Sequence, residues 1–209
     1  MGTYYKDENN VIVPQDLAYL RTADVYQTTV DDGVAGYSDT LLSIVANFKN
    51  SGRPEGFNAQ SMVGKSKRGD VALRLFAVIN PETDVIERAG FKSRGCLAMT
   101  ACASVICTMI EGKTLTEALA ITKEDVREAV DGVPFDKAHT LVFAIEGVRG
   151  LVGDWLVRRG ATLADLDRDL PCDQCSVDCL QCEHCSLRDT RIDLLVAQAQ
   201  AAGKIGGDN

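Results

Sequence analysis

No stretch of this chain is apolar for the roughly 18 residues that a membrane-spanning helix requires. The opening, "MGTYYKDENNVIV", lacks the charged-then-apolar order of a secretory signal, and Lys6 stands where a myristoylation pattern wants Ser or Thr. These absences predict a cytoplasmic protein with no membrane partner. An excess of basic charge is missing too. Against 22 Lys and Arg stand 30 Asp and Glu, a net charge of −8, so no basic face is expected for nucleic acid. The longest basic cluster, "GKSKRGD" at Gly64–Asp70, reads as a solvated loop. Internal repeats and low-complexity tracts are also absent. Cysteine is not: of eight, five fall between Cys172 and Cys185. In a reducing compartment such a density points to metal or redox chemistry rather than structural disulfides. The 209 residues are 45% hydrophobic, enough to bury a core in one domain with an appendage or in two small domains.

Hydrophobic spacing divides the chain. Residues 1–35 are polar and weakly specified. "YSDTLLSIVANFKN" places Leu41, Leu42, Ile44, Val45 and Phe48 on a helical face, with Ser38 or Asp39 as its N-cap. "SGRPEGFNAQ" reads as a loop. "DVALRLFAVI" and "VIERAGFKS", separated by "NPETD", read as an antiparallel hairpin. "CLAMTACASVICTMIEG", from Cys96 to Gly112, is apolar nearly all round and predicts a buried helix capped by Gly112. Thr114 with Glu117 forms a capping box, and Thr122 with Asp125 a similar one. After the break at "DGVP", a long helix is expected over about residues 136–159, with Leu141, Ile145, Val148, Val152 and Trp155 on one stripe. "GATLADLDRDL" reads as a connector to the cysteine-rich segment, and "RIDLLVAQAQAA" as a short amphipathic terminal helix. Strands followed by helices indicate an α+β fold, with helices on one face of a small antiparallel sheet.

Four segments then resemble a known family in the family's own order: "YSDTLLSIVANFKNSGRPEG", "GKSKRGDVALRLFAV", "FKSRGCLAMTACASVICTMIEGKTLTEALAI" and "VPFDKAHTLVFAIEG". Together they cover about Tyr37 to Arg158 and resemble the IscU/NifU N-terminal family of iron–sulfur cluster scaffolds. The resemblance implies a three-stranded antiparallel sheet with helices on one face. It also implies assembly of a nascent cluster on three cysteines helped by an Asp and a His. By position, Asp70 matches the family aspartate, Cys96 the second cysteine and His139 the histidine. Arg68 stands where the first cysteine is expected and Thr140 where the third is. The domains expected are an extension over 1–35, an IscU/NifU-like scaffold domain over 36–160 and a cysteine-rich tail with a terminal helix over 161–209. The partners implied are a cysteine desulfurase or other sulfur donor and apo-protein recipients, with a homo-oligomer as a further association. "VPFDK" occupies the family's chaperone-recognition segment, with Phe135 in place of a second proline.

Asp70, Cys96 and His139 form a carboxylate–thiolate–imidazole set. Cys96 heads a helix, where the dipole favours a thiolate. Three such ligands suit Zn²⁺ or Fe²⁺; the alternatives are a vestigial site and a Cys–His–Asp thiol hydrolase triad. Cys102 and Cys107 read as small core hydrophobes. Six residues of helix turn Cys102 about 240° from Cys96, which disfavours it at the same site. In the tail, Cys179, Cys182 and Cys185 reproduce the first three positions of a ferredoxin run, and Cys172 or Cys175 folding back would supply a fourth ligand to a [4Fe–4S] cluster. Zinc is the rival, with two C-x₂-C pairs and His184, although zinc ribbons separate their pairs by about 15–20 residues. A free-thiol tail, or disulfides formed on oxidation, is the third reading. The expectation for the whole chain is a cluster carrier rather than a turnover enzyme, its alternatives a zinc-stabilised interaction module and a ferredoxin-like electron carrier.

Overall fold

The computed structural model describes residues 4–6, 12–14, 36–65, 71–171 and 186–203. Its centre is an antiparallel sheet of three described strands, β3 (Ala59–Lys65), β4 (Val71–Ile79) and β5 (Ile86–Ser93), in that spatial order. Two short N-terminal strands, β1 (Tyr4–Lys6) and β2 (Ile12–Pro14), pair antiparallel with each other.

The β4–β5 hairpin follows the alternation in the sequence. Leu73, Leu75, Ala77 and Ile79 are buried along one face of β4. The turn closes through Asn80, whose side-chain oxygen accepts the amides of Glu82 and Thr83. Strand β3 lies in part of the chain read as a loop. It alternates weakly, with Ala59, Ser61 and Val63 inward and Met62 outward. Its polar backbone is held by the helix above it: the Gln60 amide donates to Asp154 Oδ2 at 2.8 Å and Ser61 Oγ to the Gly147 carbonyl at 2.7 Å. Partners more than eighty residues away leave no local signal.

Helix α1 (Asp39–Ala46) is capped by Ser38, whose side chain accepts the Leu41 amide. Helix α2 (Leu97–Ile110) packs on β5 and β4, its alanines allowing close approach from several sides. Helices α3 (Leu115–Leu119) and α4 (Lys123–Ala129) carry the two expected capping boxes. Helix α5 (His139–Arg158) runs over β3 and β4. Gly147 permits that approach: a Cβ there would lie 2.6 Å from Leu75 Cδ1. Of the expected stripe, Leu141, Val148, Val152 and Trp155 are buried and Ile145 is partly so.

The connector "GATLADLDRDL" contains a further helix, α6 (Leu163–Asp169), opened by a third capping box between Thr162 and Asp165. The terminal helix, α7 (Arg188–Ala201), buries Arg191, which pairs with Asp167 at 2.8 Å and donates to the Leu166 and Leu170 carbonyls. It therefore docks onto α6 through a guanidinium, and Leu187 and Leu194 pack into the hydrophobic core. No helix among the described residues is long and apolar enough to cross a membrane.

Candidate functional site

Two helix heads and one strand end converge. After β5, the Arg94 amide returns to the Ala72 carbonyl at 2.9 Å, bringing the chain back to the start of β4. Gly95 then passes tightly over Met99, where a Cβ would sit 2.8 Å from Met99 Cβ. Cys96 follows, half-buried and extended (φ −77°, ψ 178°), as the N-cap of α2.

His139 begins α5 after a single 3₁₀ turn at Phe135–Lys137. Its ring meets Phe143 edge-on, centroids 5.5 Å apart. The Phe143 ring lies directly on Gly64, close enough that a Cβ there would fall 2.1 Å from Phe143 Cε2. His139 is thus fixed beside the end of β3, from which residues 66–70 lead into β4. Asp70 and Arg68 lie outside the described residues. Among those described, no three His, Cys, Asp or Glu side chains are placed to hold a metal ion. Cys96 and His139 fit as part of a donor set, a soft sulfur and an imidazole, that needs a further ligand.

Charged and hydroxyl groups surround Cys96. Asp136 and Lys137 form an ion pair in the 3₁₀ turn. The pairing lowers the Asp136 carboxyl, helped by His139, and raises the Lys137 ammonium, helped by Cys96. Tyr37 lies in the electrostatic neighbourhood of Cys96. Its phenol is pushed well above its ordinary value, first by burial and then by Cys96 and Asp136. Sequence reasoning missed Tyr37; it precedes an N-cap serine and carries no chemical motif.

Cys102 is a buried core residue, as expected. Its sulfur lies 3.6 Å from Thr140 Oγ1, and Cys96 is near enough to raise its pKa, so it belongs to the same end of the fold. Burial pushes the Cys102 thiol up to about 11, and Thr140 also donates to the Lys137 carbonyl at 2.8 Å. At the start of α5, Thr140 therefore touches a buried cysteine. Cys107 is a core residue, its thiol also raised by burial.

Cys172, Cys175, Cys179, Cys182, His184 and Cys185 lie outside the described residues. Both flanks of their segment are described, and both are fastened to α5. Arg149 Nη2 donates to the Pro171 carbonyl at 2.8 Å, and the Ser186 hydroxyl donates to Glu146 Oε2 at 3.2 Å. Glu146 and Arg149 face each other at 3.5 Å, one turn apart. Leu187 packs into the space left by Gly153.

The comparisons agree with this arrangement. A family model described as the NifU-like N-terminal domain matches residues 36–162, well over half the chain. The nitrogen fixation protein NifU of Azotobacter chroococcum is 36% identical over 119 residues, 57% of this chain and 38% of that protein. The match thus spans well under half of that relative's length. The iron–sulfur cluster assembly scaffold protein IscU of Aquifex aeolicus is 33% identical over 124 residues, 59% of this chain and 78% of that protein. IscU of Escherichia coli is 30% identical over 128 residues, 60% of this chain and 98% of that protein. With the three-stranded sheet in place and Cys96 at the head of its buried helix, the chain belongs to the NifU-like N-terminal domain family.

Proposed function

We propose that this chain receives, holds and passes on nascent iron–sulfur clusters, as a carrier rather than a turnover enzyme. The observation that carries the reading is Cys96 at the head of α2 with His139 opening α5, within a domain whose relatives include named cluster-assembly scaffolds. Asp70, Cys96 and His139 form a metal site. With Arg68 and Thr140 in place of two family cysteines, that site holds an iron or zinc ion rather than a complete cluster. The scaffold unit is residues 36–160, and 161–209 is a cysteine-rich unit. Cys172, Cys175, Cys179, Cys182 and Cys185 supply the thiolates for a cluster of [4Fe–4S] type. The fastening of Pro171 and Ser186 to neighbouring turns of α5 supports this, because it closes the intervening segment before any metal binds and lowers the entropy of gathering its ligands. Sulfur comes from a cysteine desulfurase or a comparable donor, and apo-proteins receive the cluster, in the cytoplasm.

The test is transfer. The full chain, anaerobically reconstituted with iron and sulfide, is mixed with an apo-ferredoxin, and the acceptor's visible circular dichroism is followed. Development of the holo-ferredoxin spectrum faster than with free iron and sulfide is expected. Reversible one-electron reduction without transfer would replace the reading with electron carriage, and bound zinc without acid-labile sulfide with a structural metal module.

A further inference from the structure

Three groups in a row tie the start of α5 to α2. Thr140 Oγ1 donates to the Lys137 carbonyl at 2.8 Å, and the Cys102 sulfur lies 3.6 Å from the same Oγ1. A threonine hydroxyl has a single hydrogen to give. The carbonyl is the nearer partner and a better acceptor than sulfur, so that hydrogen goes to Lys137. The Cys102 thiol is then the donor to Thr140, and the order runs thiol to hydroxyl to carbonyl. Cys102 and Thr140 are both wholly buried. Among the described residues, no second hydrogen bond joins α2 to α5.

Each end of this row carries one of the two donors. Cys102 stands in the second turn of α2, the helix headed by Cys96. The helix itself fixes those two cysteines relative to each other. At the other end, the Thr140 hydroxyl closing on Lys137 brackets Ala138 and His139 within one turn. Ala138, at the N-cap, offers no side-chain cap of its own. The Phe143 ring holds His139 from the β3 side, through Gly64, and takes no part in α2. The Cys102–Thr140 contact therefore joins two rigid pieces, one bearing the Cys96 sulfur and the other the His139 imidazole.

We propose that Cys102 is a positioning residue: its thiol, acting through Thr140, sets where His139 stands relative to Cys96. The inference deepens the reading of Cys96 and His139 as metal ligands and rests on that reading for its consequence. Partners of this kind, one step removed from the ligands, commonly change metal affinity by about 10–100-fold.

The test has a metal-free half and a metal half. The full chain carries His184→Gln, which leaves His139 as the single histidine. In the metal-free protein, Cys102→Ala removes the donor and should move the imidazole proton resonances of His139. Cys102→Ser supplies a hydroxyl donor and should return them towards the unmodified positions. Co²⁺ is then titrated into the same proteins with serine also at the five tail cysteines, following thiolate-to-cobalt absorbance. Cys102→Ala should weaken binding about tenfold, and Cys102→Ser should restore it to within about threefold. Unmoved resonances in Cys102→Ala would overturn the proposal. Equal effects of alanine and serine would overturn it too, because packing and not the hydrogen bond would then be at work. Should Cys102→Ala fail to fold, Thr140→Val removes the hydroxyl and should move the same resonances; no movement there overturns the proposal as well. An unmodified site that takes up no cobalt would defeat the metal-ligand reading, and the metal-free resonances would still decide whether Cys102 places His139.

Discussion

Gly64 positions His139 without touching it. It adopts φ +66°, and the Phe143 ring fills the space a side chain would take. Gly64→Ala is therefore strained in backbone and in packing, and should cost about 2–4 kcal/mol while moving Phe143 off the His139 ring. Thermal unfolding and the imidazole proton shifts of His139 would show both; an unshifted His139 would separate the two residues. Cys102 makes a different prediction. Burial holds its thiol near 11, against 9.0 for the ordinary group. Between those values the folded chain keeps a proton that the unfolded chain has lost, so stability is intact below pH 9 and falls as pH rises towards 11. The share from Cys102 is about 2–3 kcal/mol, and Cys107 and Tyr37, raised in the same direction, steepen the fall. Cys102→Ala should flatten part of the slope in urea titrations across this range; an unchanged slope would contradict it. At this scale Cys96 was legible, since a Gly-Cys pair before a long apolar run announces a helix head. The Cys102–Thr140 contact was not, because the fold and not the spacing brings the two residues together.

Elements were legible where their signals are local. The boxes at Thr114–Glu117 and Thr122–Asp125 each sit within four residues, and both form. The hairpin announced itself by alternation and a turn. Helix α6 obeys the same capping rule at Thr162–Asp165, but its body has only Leu163 and Leu166 as large apolar residues, too few for a periodic pattern. Strand β3 depends on Asp154 and Gly147 of α5 and so leaves little trace in its own residues. The attachment of α7 turns on a close approach of the same kind: a Cβ on Gly153 would lie 2.2 Å from Leu187 Cδ2. Alanine there is met by rotation of a flexible leucine end, but Gly153→Val should expel Leu187 from α5. Hydrogen exchange over α7 should then rise at least tenfold, equivalent to about 1.4 kcal/mol, with exchange in α2 unchanged. Equal loosening of both helices would mean that α7 is not a separately attached element.

Across the whole molecule, the NifU-like N-terminal domain family model covers residues 36–162, and the flanks of the five-cysteine segment, Pro171 and Ser186, are held by Arg149 and Glu146 of α5. The family and the α+β architecture could be read from the sequence because four motifs stand in order. The hold on the two flanks of the cysteine-rich segment could not, since it rests on Glu146 and Arg149 meeting partners that no pattern names. The direct measurement of the proposed division of labour is iron, zinc and acid-labile sulfide per chain after anaerobic reconstitution. Three full-length proteins are compared: the unmodified chain, a variant with serine at Cys172, Cys175, Cys179, Cys182 and Cys185, and Cys96→Ser. The account predicts sulfide in the unmodified chain and in Cys96→Ser, its loss from the five-serine variant, and retention there of a single metal ion that Cys96→Ser lacks. Undiminished iron and sulfide in the five-serine variant would contradict it and place the cluster on the scaffold domain itself.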